Sequence, residues 1–367
     1  MDAISPTTDS ATHLPGAVSR SQLDVRELQQ LVQTMESPLR SLTGASILIT
    51  GATGWFGVWL LDLLCFADDL LKLGLRITAV SREPQRFLAR IHGFARDSRI
   101  SWIKADVRQL KATGAGYSHV IHAATDSSVK AEASSPSLLF DTIVDGTRRA
   151  LAVAGSDCKG FLLLSSGAVY GPACGSRGRF CESEPGGPDP SDIRNGYAEG
   201  KRAAEQICAI AASAGVPVRI ARCFAFVGPH MPFDKHFAIG NFIADAVRGR
   251  KIRVRSDGRA QRSYLYMTDL MRALLSILAD GSIGRAYNVG SEVAVTISQL
   301  AHCVDQVVGG RGVVIEGEAS VPGDIYVPDT TRLRAELHFT PQVALETAIA
   351  RTAAWYRAQM CTNASRN

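Results

Sequence analysis

A tyrosine and a lysine lie four residues apart in the segment Tyr197-Ala-Glu-Gly-Lys201, so on a helix both side chains share one face. A free phenol has a pKa of about 10 and is a poor base at neutral pH. An ammonium one helical turn away stabilises the phenolate and lowers that pKa. Ser166 ends an apolar run upstream, where its hydroxyl can hydrogen-bond and orient the reacting oxygen. These three side chains predict general acid/base catalysis at a substrate oxygen, with Tyr197 moving the proton.

A glycine-rich segment, Gly51-Ala-Thr-Gly54-Trp-Phe-Gly57, directly follows a short apolar strand at 46–50 and opens a helix. Glycines let the backbone approach a pyrophosphate, and the helix N-terminus offers free N–H groups and a positive dipole end to the phosphates. The segment therefore predicts a nucleotide-binding loop. Its candidate binding residues are Gly51, Thr53, Gly54, Trp55, Phe56 and Gly57.

The second predicted strand ends in Ser81 and Arg82, where a carboxylate would bind the adenosine ribose of NAD. A hydroxyl and a guanidinium suit a 2′-phosphate instead, so we expect NADP, with NAD as the other possibility. Asp106 ends the third strand and either accepts a hydrogen bond from the adenine amino group or caps a helix. The remaining candidate cofactor contacts are Val107, Ala123 and Ala124.

Short apolar strands alternate with helices over the first part of the chain, which is typical of a parallel sheet covered on both faces. The sequence thus predicts an α/β fold, a doubly wound Rossmann sheet with a smaller mixed α/β C-terminal substrate domain. The predicted strands are 46–50, 76–80, 100–104, 119–123, 160–165, 217–223, 263–267, 286–290 and 313–316. The main predicted helices are 138–154, 197–212, 236–247, 297–307 and 343–360, with another ending near 278.

Three regions follow from this pattern: 1–40 as a polar tail with a helix, 41–229 as the NAD(P)-binding domain and 230–367 as the substrate domain. Part of 263–292 could return to the first domain. Residues 1 to about 21 are expected to be disordered, and residues 22–36 to form a helix that ends at Ser37-Pro38.

The 367 residues carry a net charge of +5, which is too mild to indicate nucleic-acid binding and fits an anionic small ligand. Eight cysteines without a CxxC pair predict free thiols and no metal site. No apolar run reaches the length of a membrane span, and no signal peptide is recognisable, so a soluble cytoplasmic protein is expected.

The chain resembles the extended short-chain dehydrogenase/reductase family, in its NAD-dependent epimerase/dehydratase group, from about Ser46 to Tyr356. The resemblance implies a nucleotide-diphospho-sugar substrate whose diphosphate contacts Asn241 and Arg262. It also implies that Lys201 and Tyr197 contact the cofactor, and that helices 138–154 and 197–212 build a homodimer interface. The motifs that carry it include His122-Ala-Ala124, Asp145-Gly-Thr147, Ser165-Ser-Gly-Ala-Val-Tyr-Gly171, Tyr197-Ala-Glu-Gly-Lys201, Arg222–Pro229, Gly240-Asn-Phe-Ile243, Arg262–Leu270 and Tyr287-Asn-Val-Gly290.

Five positions depart from the residues usual in that family. Gly167 and Ala168 stand where dehydratases have acidic residues and decarboxylases keep a glutamate, and neither can move a proton. Ile143, Ala225 and Val321 replace other usual polar residues, which puts the sugar and phosphate contacts in question. Elimination of water needs a second acid/base pair, so a dehydratase is not expected unless a carboxylate such as Glu182 or Glu184 substitutes.

The leading hypothesis is reduction of a keto-sugar nucleotide by NADPH. An NDP-sugar epimerase that retains its cofactor uses the same three side chains and stays as the alternative. A non-catalytic cofactor-sensing protein on the same scaffold is a remote third reading. The base, the sugar and the carbon acted on are left open, because pocket loops decide them and the fold does not.

Overall fold

The computed structural model describes residues 17–111, 116–125, 135–171, 178–233, 237–318 and 324–364. Fourteen strands lie in these ranges: β1 Ser46–Thr50, β2 Arg76–Ser81, β3 Ile100–Lys104, β4 His119–His122, β5 Gly160–Ser166, β6 Val218–Cys223, β7 Phe226–Val227, β8 Ile252–Val254, β9 Gln261–Arg262, β10 Leu265–Tyr266, β11 Ala286–Val289, β12 Val295–Thr296, β13 Val313–Ile315 and β14 Ile325–Tyr326. The same ranges contain α1 Val25–Thr34, α2 Glu36–Arg40, α3 Trp55–Leu71, α4 Pro84–Arg90, α5 Pro136–Ala154, α6 Gly196–Ser213, α7 Ala238–Val247, α8 Met267–Asp280, α9 Ile297–Val308, α10 Thr331–Leu337 and α11 Leu345–Ala364.

Seven parallel strands form the central sheet in the order β11-β6-β5-β4-β1-β2-β3. Alternate residues of one strand enter different cores, as a strand buried on both faces requires. Ile47 and Ile49 pack with α3 and α8, whereas Leu48 packs on the opposite face with residues of α5 and α6. The predicted doubly wound α/β fold is confirmed.

The C-terminal part packs around its own apolar core, built mainly from α7, α9, α11 and the short strands β8 and β13. Of the predicted strand at 263–267 only Leu265–Tyr266 is a strand, β10, and a separate two-residue strand, β9, precedes it at Gln261–Arg262. Of these, β9 pairs with β12 and β14, and β10 pairs with β7. The last strand of the central sheet, β11, comes from residues 286–289. The domain boundaries themselves remain a prediction.

Residues 17–21 are not the disordered tail that the composition predicted. Ser19 Oγ, the Arg20 N–H and the N–H and Oγ of Ser21 all donate hydrogen bonds to the carboxylate of Asp62, at 2.5–3.0 Å. Asp62 is fully buried on α3, and burying a carboxylate without such donors would be costly. The polar residues of this segment therefore serve as hydrogen-bond donors to a buried carboxylate. Residues 1–16, the rest of the predicted tail, lie outside the described ranges.

The helix predicted at 22–36 begins at Val25 and does not end at Ser37-Pro38. A second helix, α2, starts at Glu36 and runs through both residues. Pro38 occupies its first turn, where backbone N–H groups have no intrahelical partner, so a proline is tolerated there. Among all described helices, none combines the length and apolar character needed to cross a bilayer.

Candidate functional site

Ser166 is the last residue of β5 and begins a 3-10 turn at Gly167–Tyr170. Its Oγ accepts a hydrogen bond from the Ala168 N–H at 3.1 Å, which fixes the hydroxyl at the carboxyl end of the central sheet. Ligands of open α/β sheets bind at this edge. The predicted substrate-orienting serine therefore lies where a ligand is expected.

Tyr197 and Lys201 lie in the first two turns of α6, as their spacing predicted. The Lys201 ammonium is 5.8 Å from the centre of the Tyr197 ring. Helix α6 packs closely on α5, because Gly200 leaves a gap in which an added Cβ would stand 3.0 Å from Ile143. Ile143, one of the family departures, is thus a buried packing residue against the helix that carries the pair.

The Lys201 ammonium is held beneath the sheet edge by two hydrogen bonds. It donates to the Leu164 carbonyl at 2.8 Å and to Thr125 Oγ1 at 2.9 Å. Burial lowers the pKa of Lys201 to about 8, because a charged amine is disfavoured away from water. The Lys201 ammonium therefore lies close to Tyr197 and loses its proton at a pH only slightly above the physiological range.

The glycine loop connects β1 to α3 and has the shape of a backbone cradle. Gly51 has a φ of +69°, and a Cβ there would stand 2.6 Å from the Ala123 carbonyl oxygen. Gly54 caps α3 without any side chain bonding the free N–H groups of its first turn. Close backbone approach and free helix N–H groups are what a dinucleotide pyrophosphate requires, so these residues fit the group.

Under this loop lies a polar relay that the sequence reasoning did not identify. Thr50 Oγ1 is 2.7 Å from His122 Nδ1 and accepts the Ala124 N–H at 3.2 Å, and His122 Nε2 is 3.2 Å from Thr147 Oγ1. Burial lowers the pKa of His122 to about 3, so the imidazole is neutral at pH 7. The N–H groups of Ala123 and Ala124 both bond Thr50, which ties this backbone to β1. His122 and Thr147 each stand in a motif of the family resemblance, but no spacing in the sequence indicated their contact.

At the end of β2, the Ser81 hydroxyl lies 3.0 Å from Thr53 Oγ1 and accepts the Glu83 N–H at 3.2 Å. Arg82 beside it is exposed. Asp106 caps the turn at Val107–Gln109, and its hydrogen bonds with Arg108 hold its carboxyl pKa below the usual range, with a smaller contribution from the Arg82 charge. Thr53, Ser81, Arg82 and Asp106 therefore gather at one end of the cradle. The structure gives Asp106 its cap role and leaves its adenine contact a prediction.

Two predicted loop residues face the protein rather than the cradle. Trp55 and Trp59 both donate their indole N–H to the Pro229 carbonyl, at 2.8 and 3.0 Å. Phe56 packs edge-on against Phe226 with 5.3 Å between ring centres. Their side chains fix α3 against the start of the C-terminal part, and their role in cofactor binding remains a prediction.

The predicted diphosphate contacts lie in the C-terminal part. Arg262 on β9 forms an ion pair with Asp324 at 3.0 Å, and its guanidinium lies 5.8 Å from the centre of the Tyr326 ring. Asn241 is partly buried on α7. Val321, the third of the replaced family positions besides Ile143 and Ala225, lies outside the described residues.

Tyr326 itself was missed by sequence reasoning. Its hydroxyl lies against Gly167, within reach of the neighbouring Ser166 side chain, and its ring lies 4.8 Å from that of Phe224. It comes from β14, 160 positions after Ser166 in the chain, so no local spacing could have connected the two.

Three described carboxylates, Glu205, Glu182 and Glu184, already have polar partners. Glu205 accepts the Ser165 hydroxyl at 2.5 Å and is held by Arg222 at 2.7 Å. Glu182 accepts the Asn288 N–H at 2.8 Å, and Glu184 faces Cys181. Beside Ser166 the space is closed, since a Cβ on Gly167 would stand 2.6 Å from the Tyr326 hydroxyl and 2.8 Å from the Phe224 ring. A second acid/base group at position 167 therefore does not fit.

Comparison with known proteins agrees with this geometry. A family model described as "NAD dependent epimerase/dehydratase family" matches residues 47–290. UDP-glucuronic acid decarboxylase 1 of Arabidopsis thaliana is 28% identical over 315 residues, which cover 85% of this chain and 69% of that protein.

Two solved structures share the fold. The dTDP-glucose 4,6-dehydratase of Streptomyces venezuelae, solved with NAD, has a TM-score of 0.73 at 23% identity, over 86% of this chain and 98% of that chain. The UDP-glucose 4-epimerase of Thermotoga maritima, solved with UDP-glucose, has a TM-score of 0.72 at 22% identity, over 86% of this chain and 99% of that chain.

Proposed function

The chain belongs to the NAD dependent epimerase/dehydratase family, as an enzyme of the extended short-chain dehydrogenase/reductase type, and from this premise we propose that it reduces a keto-sugar nucleotide. The observation that carries the proposal is the closed space beside Ser166. Tyr197 is the proton-moving side chain in the predicted set, and position 167 has no room for a second acid or base. Nucleotide sugars are the substrates named for the Arabidopsis decarboxylase and the Streptomyces dehydratase, which supports the substrate class.

Each of the three site residues has one task in this reaction. Ser166 donates a hydrogen bond to the keto oxygen and orients it. Tyr197 gives its proton to that oxygen as the carbonyl becomes an alcohol, and afterwards regains a proton from solvent. Lys201, held by Leu164 and Thr125, keeps a positive charge beside the phenolate that remains. A bound reduced nicotinamide dinucleotide supplies the hydride to the carbonyl carbon.

The substrate panel that tests the proposal contains three nucleotide sugars. With NADPH, a 4-keto-6-deoxy-hexose nucleotide should be reduced and the absorbance at 340 nm should fall. NDP-glucose should give no 4-keto-6-deoxy product and NDP-glucuronate should release no carbon dioxide, because no second acid/base group fits at position 167. Robust dehydration would contradict the proposal. A flat absorbance with a new NDP-hexose stereoisomer in the NMR spectrum would instead identify the epimerase.

Cofactor choice is predicted from Arg82. An exposed guanidinium at the end of β2 can pair with a 2′-phosphate, so NADP(H) should bind more tightly than NAD(H). Arg82→Asp should reverse this preference, and isothermal titration with both dinucleotides measures it. Arg86→Asp, one turn further and also exposed, is the matched control and should leave the preference unchanged. Tighter binding of NAD by the wild type would refute the assignment.

A homodimer with two-fold symmetry is proposed through α5 and α6. The two helices pack on each other and carry exposed apolar side chains, Leu138 at 45% and Ile210 at 61% exposure. Light scattering at micromolar concentration should give a dimer mass, which Ile210→Glu should lower. Ile283→Glu, at a similarly exposed isoleucine outside these helices, should not change it. A monomeric wild type would exclude this assembly.

A further inference from the structure

Tyr326 connects two parts of the site that the chain supplies from different regions. It lies on β14, whose pairing with β9 places it directly opposite Arg262. The Arg262 guanidinium stands 5.8 Å from the centre of its ring, a cation–π distance. The hydroxyl at the far end of the Tyr326 ring lies against Gly167 at the central sheet, within reach of the neighbouring Ser166 side chain. One rigid side chain therefore spans from the candidate diphosphate contact to the substrate-orienting hydroxyl.

The ring of Tyr326 is fixed by an aromatic cluster. Its centre lies 4.8 Å from that of Phe224 and 6.4 Å from that of Phe180, and these two rings also contact Tyr170. Gly167 completes the fit, because any side chain there would meet the Tyr326 hydroxyl at 2.6 Å. The glycine that the family pattern does not predict is thus the residue that lets this hydroxyl reach Ser166.

The ionisation state of Tyr326 limits what it can do. Burial raises its pKa well above the usual value, and the nearby Tyr197 adds to the effect. The phenol therefore keeps its proton throughout the physiological range, acts as a hydrogen-bonding group and does not compete with Tyr197 as a base.

We propose that Tyr326 is a positioning residue whose hydroxyl orients Ser166 and whose ring supports Arg262, so that diphosphate binding is coupled to alignment of the keto oxygen. The inference rests on the proposed function, since it takes Arg262 as the diphosphate contact. Binding energy from the remote part of the substrate would in this way be used at the reacting carbon.

Two substitutions separate the two contacts. Tyr326→Phe removes the hydroxyl and keeps the ring, and should lower kcat about tenfold with little change in KM, the size expected for one hydrogen bond. Tyr326→Leu removes both and should also raise KM for the nucleotide sugar several-fold. Tyr170→Phe is the matched control, because its hydroxyl in the same cluster bonds Asn288 and Arg222 rather than Ser166. It should leave the ratio of kcat to KM within about twofold.

A second measurement does not depend on which reaction the enzyme performs. Crystal structures of the wild type and of Tyr326→Phe should be compared. In the variant, the Ser166 hydroxyl should be turned away from the position that it has in the wild type. If the wild type does not reduce keto-sugars, the proposed function fails. The role of Tyr326 is then tested only by the position of the Ser166 hydroxyl in the two structures. An unchanged Ser166 orientation in the variant overturns the hydroxyl contact, and equal KM values for the Phe and Leu variants overturn the coupling to Arg262.

Discussion

Replacing Tyr197 with phenylalanine should lower the turnover number by about 10²–10⁴-fold, the range that general acid/base catalysis contributes. The phenol is the group placed to protonate the keto oxygen. Glu182 and Glu205, the nearby carboxylates, are committed to Asn288, Ser165 and Arg222. Since neither of these carboxylates is free to take over the proton, the loss should appear in kcat and in kcat/KM alike.

Binding of the cofactor should survive this substitution. The glycine cradle and the polar cluster around Ser81 are built by β1, β2 and α3, whereas Tyr197 lies on α6 and its hydroxyl acts on the substrate oxygen in the proposed role. Dinucleotide titration of Tyr197→Phe should therefore give a dissociation constant close to that of the wild type. A variant that kept more than about a tenth of wild-type turnover would show that another group moves the proton.

Much of the fold and part of the site were readable from the sequence because their signals are local. Apolar strands such as 46–50 and 100–104 have the predicted bounds, and the i, i+4 spacing of Tyr197 and Lys201 places them on one face of α6. The glycine loop likewise needs only its own spacing and the strand before it.

What the sequence could not predict depends on contacts between distant segments. Residues 17–21 have the composition of a disordered tail, and only the buried Asp62 on α3 reveals why they are ordered. From the sequence, Gly167 was interpreted only as the loss of an acidic residue. In the structure, its lack of a side chain leaves the room that the Tyr326 hydroxyl occupies. The predicted strand at 263–267 is shortened to Leu265–Tyr266, because this strand and its neighbour at 261–262 pair with different partners. That choice is set by tertiary packing rather than by β propensity.

Replacing Lys201 with methionine should damage both turnover and cofactor binding. The family resemblance implies that this ammonium contacts the nicotinamide ribose, and in the structure it lies beside Tyr197. Its pKa of about 8 means that the charge is present below pH 8 and is lost as pH rises through that value. Dinucleotide affinity of the wild type should therefore weaken above about pH 8, while the weaker affinity of Lys201→Met should show no such step.

The same pKa predicts an opposite trend for stability. In the unfolded chain the lysine pKa is about 10.4, so between pH 8 and pH 10 the unfolded state binds more protons than the folded state. The contribution of Lys201 to the free energy of unfolding must then rise with pH over this window. Denaturant unfolding at pH 7, 8, 9 and 10 should show the wild type gaining stability relative to Lys201→Met.

Lys251→Met, at an exposed lysine, removes the same charge and should give parallel curves with the wild type. If the stability curves of Lys201→Met and the wild type ran parallel, burial would not lower the pKa of Lys201. The titration of its ammonium would then not limit cofactor binding.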